Sequence, residues 1–142
     1  MDLELGRPPV QGPGFGDCWV VSVLDAVHHR WPDKISRMFK DLGDGRVEVR
    51  LARHTVWLGM TFPQGCSQPK WCSCIQKALA LVLGGWDKLN GGLVSTACTL
   101  LFPDLECVPL TDAIVCGIRH PRSLHAVRPV FTCVIRPRRG ES

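Results

Sequence analysis

Long apolar runs are missing from this chain of 142 residues. The longest apolar stretches, Trp19–Leu24 and Ala78–Leu83, are far shorter than the roughly twenty residues that a membrane-spanning helix needs. The first residues also lack the pattern of a secretory signal, because Asp2 and Glu4 stand where such a signal has basic residues. We therefore expect no membrane helix and a cytoplasmic location.

A strong charge of one sign is missing as well. The net charge is only +4, and arginines near the carboxyl end supply much of it. We find no further basic stretch interleaved with aromatic residues, so neither nucleic acid nor a membrane surface is expected as a partner. With 45% apolar and 21% charged residues, the composition is typical of a globular protein with one sizeable core. We expect a single domain over residues 1–142.

Cysteine is abundant, and its eight positions are Cys18, Cys66, Cys72, Cys74, Cys98, Cys107, Cys116 and Cys133. A small secreted protein with this many cysteines would form a disulfide framework, but without a secretion signal we expect most of the thiols to be reduced. Cys66, Cys72 and Cys74 lie close together, but their spacing does not match the cysteine pairs of structural zinc sites. We therefore expect no bound metal.

Hydrophobic periodicity predicts a mixture of helices and strands, and hence an α+β fold. A helix is expected from Cys18 to about His29, with Asp17 as its N-cap. A second helix is expected after Pro32, with Asp33 as its cap, over the apolar positions up to Leu42. The residues Gly43-Asp44-Gly45 are expected to end it.

The rest of the chain continues this pattern. Strands are predicted at 46–51 and 55–61 as an antiparallel hairpin, helices at 71–83, 95–101 and 112–118, and a last strand at 130–135. An irregular segment is expected between Pro103 and Pro109.

The strongest chemical signal is Gly16-Asp17-Cys18-Trp19, which puts a thiol in the first turn of a helix directly after a glycine-rich loop. The unpaired N–H groups and the positive dipole end of a helix N-terminus favour the thiolate nucleophile. The N–H of Cys18 and an upstream amide, for which Gln11 is available, could together stabilise an oxyanion. Two alternatives stay open: Cys18 is merely a small buried residue, or the thiol serves acyl transfer other than hydrolysis.

The segment from Gln11 to Trp19, Q-G-P-G-F-G-D-C-W, resembles the active-site start of the calpain-type, papain-like cysteine proteases, which reads Q-G-x-x-G-D-C-W. A second segment, with Trp71, Ile75-Gln-Lys-Ala78 and then Gly84-Gly-Trp-Asp-Lys-Leu-Asn-Gly-Gly92, resembles that family's W-x-x-L-L-E-K-A and G-x-Y-x-x-L-x-G-G patterns. The resemblance implies a papain-like fold, with a Cys-bearing lobe over about residues 11–101 and an abbreviated second lobe over about 102–142.

The resemblance also implies an activity. It is that of a cysteine-type endopeptidase, a hydrolase that cleaves protein or peptide substrates without a cofactor. Calcium enters only through the resemblance, because the chain has no Asp-x-Asp cluster.

The family's remaining catalytic residues are a His, which acts as base and acid, and an Asn, which orients it. Leu124-His125-Ala126 is the counterpart of the family's Gly-His-Ala, so His125 is the predicted base. Gln11 stands seven residues before Cys18, whereas the family spacing is six, and no Asn follows His125, because Asn90 is the only Asn in the chain. The sequence therefore supports two interpretations: an endopeptidase that uses Cys18, His125 and Gln11, or a truncated, inactive pseudoprotease that acts as a binding module. Substrate preference and oligomeric state stay open.

Overall fold

The computed structural model describes residues 2–10, 18–62, 68–109 and 133–138. These residues form a mixed α+β architecture, as the sequence predicted. The helices are α1 (Cys18–Arg30), α2 (Pro32–Ser36), α3 (Lys70–Leu83) and α4 (Val94–Leu101), with a 3-10 helix at Trp86–Leu89. The strands are β1 (Phe39–Asp41), β2 (Arg46–Arg50), β3 (Thr55–Gly59), β4 (Leu105–Pro109) and β5 (Cys133–Pro137).

Helix α1 lies in the middle of the core, as its many apolar faces predicted. Val20, Val23, Leu24 and Val27 are fully buried. Apolar side chains of α2, α3, α4 and the strands pack around them in one cluster, including Ile35, Val47, Val49, Trp71, Ile75, Leu79, Leu101 and Leu105. The predicted helix is confirmed, and it extends one residue further, to Arg30.

The predicted helix over residues 32–42 is wrong beyond Ser36. Residues 39–41 form β1, which pairs with β2 in the antiparallel register Phe39↔Val49. The reason lies in the turn after Leu42, because Gly43, Asp44 and Gly45 all have positive φ angles, of 74°, 53° and 70°. This left-handed turn folds the chain back on itself at once, so Gly43-Asp44-Gly45 closes a hairpin and does not end a helix.

The start of α2 also differs from the prediction. Trp31 occupies the N-cap position without a side-chain hydrogen bond, and Pro32 follows as the first helical residue. Asp33 therefore lies inside the first turn and is not the cap. Proline suits this position because its fixed φ is helical and its missing N–H would be unpaired there.

Strands β1, β2 and β3 form an antiparallel sheet in that order, which confirms the predicted hairpin of β2 and β3. Val47 and Val49 point into the core, whereas Arg46 and Arg50 are exposed on the other face. Strand β3 ends at Gly59, two residues earlier than expected. There the Lys77 ammonium donates hydrogen bonds to the carbonyls of Gly59 and Thr61, which ties α3 to the end of the strand.

Helices α3 and α4 confirm the predictions for those segments. Gly84 ends α3 in the left-handed conformation, at φ 100°, and its N–H donates to the carbonyl of Ala80. The irregular segment expected between Pro103 and Pro109 is wrong, because Leu105–Pro109 forms β4 and pairs antiparallel with β5. Its partner strand is distant in sequence, so local turn residues gave no indication of the pairing.

Two predictions concern segments outside the described ranges. The helix expected at 112–118 lies wholly outside them, and so does the beginning of the last strand, at 130–132. Within the described ranges that strand runs from Cys133 to Pro137. None of the helices described has the length and hydropathy that crossing a membrane takes.

Candidate active site at the start of α1

The structure describes only one of the three predicted catalytic residues, and only its backbone. Cys18 is the first residue of α1, so its backbone is placed, and its thiol lies outside the described part. Gln11 and His125 both lie outside the described ranges, as does the expected cap Asp17. The structure therefore places the backbone of the predicted nucleophile on its helix, and the three side chains lie outside the described part.

The structure confirms that α1 begins at Cys18. The first N–H groups of an α-helix have no partner within the helix, and they form the positive end of its dipole. No acidic residue lies in the first turn of α1, and its last turn carries His28, His29 and Arg30. Because α1 is surrounded by the core, this dipole acts in a medium less polarisable than water.

Trp19 connects the two segments on which the family resemblance depends. Trp19 is 5% exposed, and its Nε1–H donates a buried hydrogen bond of 2.8 Å to the carbonyl oxygen of Leu89. Gly92 lies against the same ring, since a Cβ added there would be 2.6 Å from Trp19 Cδ2 and 2.6 Å from Cε2. The segment that ends in Gly91-Gly92 therefore packs on the residue directly after Cys18.

The backbone conformation explains why glycine occupies two positions of this second segment. Gly84 ends α3, and Gly91 turns the chain at φ 88° between the 3-10 helix and α4. Leu89, between them, is 1% exposed and anchors the 3-10 helix in the core. These positions hold the loop against the indole of Trp19.

The segment 2–10 is bound to the start of α3 and to the last turn of α1, which the sequence did not indicate. The N–H of Trp71 donates to the carbonyl of Leu3, at 2.9 Å, and its indole N–H donates to the carbonyl of Arg7, also at 2.9 Å. The side chain of Gln68 accepts from the N–H of Val10 and donates to its carbonyl. Gln68 therefore fixes both backbone groups of Val10, the residue directly before Gln11.

Glu4 is a cap that the sequence analysis missed. Its carboxylate accepts a hydrogen bond of 3.1 Å from the N–H of Lys70, the first residue of α3, and pairs with Arg7 at 2.6 Å. The hydrogen bond from Arg7 lowers the pKa of Glu4, and the N–H of Lys70 lowers it further. The helix end and its cap are 66 residues apart, so local sequence carries no signal for this contact.

His28 has a structural role here. Its Nε2 lies 2.6 Å from the carbonyl oxygen of Leu5 and, because that oxygen only accepts, Nε2 carries the proton. The imidazole also stacks on the indole of Trp71, with the ring centroids 4.9 Å apart. His28 therefore helps to hold residues 2–10 on the two helices.

The cysteine side chains that the structure describes divide into two groups. Cys72, Cys74 and Cys98 are buried and form no disulfide, whereas Cys107 is disulfide-bonded. Burial raises the pKa of Cys74 to about 12 and also raises that of Cys98, so these thiols are protonated at neutral pH. Among the residues described, no group of His, Cys, Asp or Glu is arranged to hold a metal ion, and Cys66 lies outside those ranges.

Comparisons of the chain with protein-family models, with curated proteins and with solved structures find no match.

Proposed function

We propose that the chain is a calpain-like cysteine endopeptidase of papain-like fold, with Cys18 as its nucleophile. One observation carries the proposal: Trp19, which directly follows Cys18, is hydrogen-bonded to Leu89 and covered by Gly92. The two segments that resemble the family thus pack on each other, although some 70 residues separate Trp19 from Leu89. A chance similarity of two short segments gives no reason for such a contact.

In this proposal the chemistry proceeds through an acyl-enzyme. The thiolate of Cys18 attacks the scissile carbonyl carbon and forms a C–S bond, while the N–H of Cys18 and the amide of Gln11 stabilise the oxyanion. His125 gives a proton to the leaving amine as the C–N bond breaks. Water then hydrolyses the thioester with His125 as base, which releases the acid and restores the thiol. The helix start at Cys18 supports the first step, because it stabilises the thiolate.

The proposal also covers the substrates of the enzyme and its location in the cell. The proposed substrates are proteins or peptides, and the proposed location is the cytoplasm, whose reducing conditions keep a nucleophilic thiol reduced. Cys72, Cys74 and Cys98 form no disulfide, which agrees with a reducing compartment, whereas the disulfide at Cys107 does not.

An epoxysuccinyl peptide, which alkylates the active thiol of cysteine proteases, tests the proposal. Native protein is treated briefly and the modified residue is located by mass spectrometry. We expect Cys18 to be labelled and the buried Cys72, Cys74 and Cys98 to stay unlabelled. The variant His125→Ala is expected to lose most of the labelling rate, whereas His54→Ala, an exposed His in the connection after β2, serves as the matched control and keeps it.

Two results would overturn the proposal. One is a folded protein in which Cys18 reacts no faster than a cysteine in an unstructured peptide. The other is labelling that is equally fast in the His125 and His54 variants. In both cases a cooperative unfolding transition shows that the protein was native.

A second candidate is an inactive pseudoprotease that acts as a binding module. The observation in its favour is that the only Asn of the chain, Asn90, is the C-cap of the 3-10 helix and precedes any candidate base. This candidate predicts a folded chain that binds a peptide aldehyde weakly and reversibly, without labelling or peptide cleavage. An active enzyme would bind the same aldehyde through Cys18, so the variant Cys18→Ala would lose that binding.

A further inference from the structure

A cleft lies where α2, the end of β2 and the end of α4 meet, and it encloses about 250 Å³. Its floor is apolar, because Met38, Leu51, Leu101 and Phe102 line it and are themselves buried. Only Trp31 separates α2 from the last residue of α1, so the cleft lies toward the end of α1 that is remote from Cys18. The length of α1 puts roughly 20 Å between the two.

The rim of the cleft is mainly cationic. Lys34, Arg37 and Arg50 line it, together with a single carboxylate, Asp104. Lys34 is ion-paired with Asp104, and Nε of Arg50 donates to Glu48 at 3.0 Å. Arg37, at the end of α2, is exposed and has no ion pair among the residues described. The rim therefore keeps an unpaired guanidinium beside an apolar floor.

These cations are not needed to cap the adjoining helix ends. At the end of α4, the N–H of Phe102 donates to the carbonyl of Cys98, and the N–H of Ala52 donates to that of Leu100. At the end of α2, the backbone N–H of Arg37 donates to the carbonyl of Asp33. The backbone satisfies these carbonyls, which leaves the Arg37 side chain free to bind a ligand.

We propose that the cleft binds a carboxylate attached to one small apolar group, as in an arylalkanoic acid or in the C-terminal residue of a peptide. The planar guanidinium of Arg37 can hold both carboxylate oxygens, with Lys34 and Arg50 adding positive charge. The apolar group covers Met38, Leu51, Leu101 and Phe102 and removes them from water. About 250 Å³ is below the usual range for a drug-sized ligand, so a single aromatic or branched group matches it.

The cleft also contains one competing anion, the carboxylate of Asp104. Asp104 holds Lys34 in the absence of ligand, so a bound carboxylate shares that ammonium with it. Removal of the Asp104 charge is therefore expected to strengthen binding of a carboxylate, although it removes an ion pair from the protein.

The test measures binding to the full chain by isothermal titration calorimetry. The probes are 3-phenylpropionate, N-acetylphenylalanine, the neutral N-acetylphenylalanine amide, and inorganic phosphate. We expect the carboxylates to bind at least tenfold more tightly than the amide, and phosphate to bind more weakly because it leaves the floor uncovered. Binding of both acids indicates a site for free aryl acids, whereas binding of N-acetylphenylalanine alone indicates a site for peptide C-termini.

Four variants accompany these probes. Arg37→Gln is expected to weaken binding of the carboxylate about tenfold, and Arg53→Gln, another exposed cation that does not line the cleft, is the control that leaves it unchanged. Asp104→Asn is expected to tighten binding about threefold. Cys18→Ala is expected to leave binding unchanged, so this inference stands or falls separately from the protease proposal.

The inference is overturned by any of three results in protein that unfolds cooperatively. These are no binding of either acid at millimolar concentration, equal binding of acid and amide, and loss of binding in Asp104→Asn. Equal effects of Arg37→Gln and Arg53→Gln on binding would also contradict it. They would show that only the net charge of the protein affects binding.

Discussion

The contact between Gly92 and the Trp19 indole is the most restrictive single-residue feature of the candidate site. The backbone of Gly92 is not in the left-handed region, so its requirement for glycine is one of space. A methyl group there would lie 2.6 Å from two ring carbons of a buried side chain that Leu89 also holds. We predict that Gly92→Ala lowers the free energy of unfolding by about 1–3 kcal/mol, measured by urea denaturation.

The matched control is Gly59→Ala at the end of β3. A Cβ at Gly59 meets no atom within 4 Å, so this variant is expected to unfold within about 0.5 kcal/mol of the wild type. Equal stability of the two variants would show that the glycine loop does not press on Trp19 in solution.

Glu4 provides a pH-dependent test of how residues 2–10 are attached. The hydrogen bond from Arg7, with that from the Lys70 N–H, holds the pKa of Glu4 below its usual value of 4.5. A lowered pKa means that the charged form stabilises the fold above the unfolded pKa, and that this stabilisation is lost as the pH falls through the folded pKa. We predict that Glu4→Gln is less stable than the wild type at pH 7 and that the difference disappears under acidic conditions, as followed by thermal unfolding.

Asp25→Asn controls for the loss of a carboxylate as such, because Asp25 has no ion pair among the residues described. It is expected to show a small difference from the wild type at every pH. A difference for Glu4→Gln that does not change between pH 7 and pH 3 would contradict the capping role.

Among the elements, the hairpin of β1 and β2 depends on its left-handed turn. Gly45 has a φ of 70°, and a Cβ there would have open space, so only the backbone conformation penalises a side chain. We predict that Gly45→Ala costs about 1–2 kcal/mol in thermal or urea unfolding. The exposed Gly6, which has open space and no positive φ, is the control position, and Gly6→Ala is expected to be near neutral. Equal effects at the two positions would exclude a strained turn.

This hairpin also shows what local sequence could and could not predict. Ile35 and Met38 are both buried, so the helical spacing identified true core positions. It failed for Phe39, because the turn at residues 43–45 offers this segment a strand partner, and pairing with Val49 decides its conformation. Helices α1, α3 and α4 were predictable since their hydrophobic periodicity lies within the segment itself, as does the glycine that ends α3.

At the scale of the whole molecule, contacts between distant segments were beyond sequence reasoning. The pairing of β4 with β5, the capping of α3 by Glu4, and the cleft at Arg37 each join residues far apart in the chain. The candidate site could be predicted from the sequence only in part. Its two segments were recognisable from their residues, but only the fold brings Trp19 to Leu89 and Gly92.

The central claim is that Cys18 is a thiolate nucleophile at the start of a buried helix. Its most direct test is the rate of Cys18 alkylation by iodoacetamide as a function of pH, followed by mass spectrometry in native protein. The claim predicts a half-maximal rate well below pH 8.5, the usual pKa of a free thiol. Cys74, whose pKa is raised to about 12, reports in the same samples that the core stays closed. A rate for Cys18 that rises only at or above about pH 8.5 would contradict the claim.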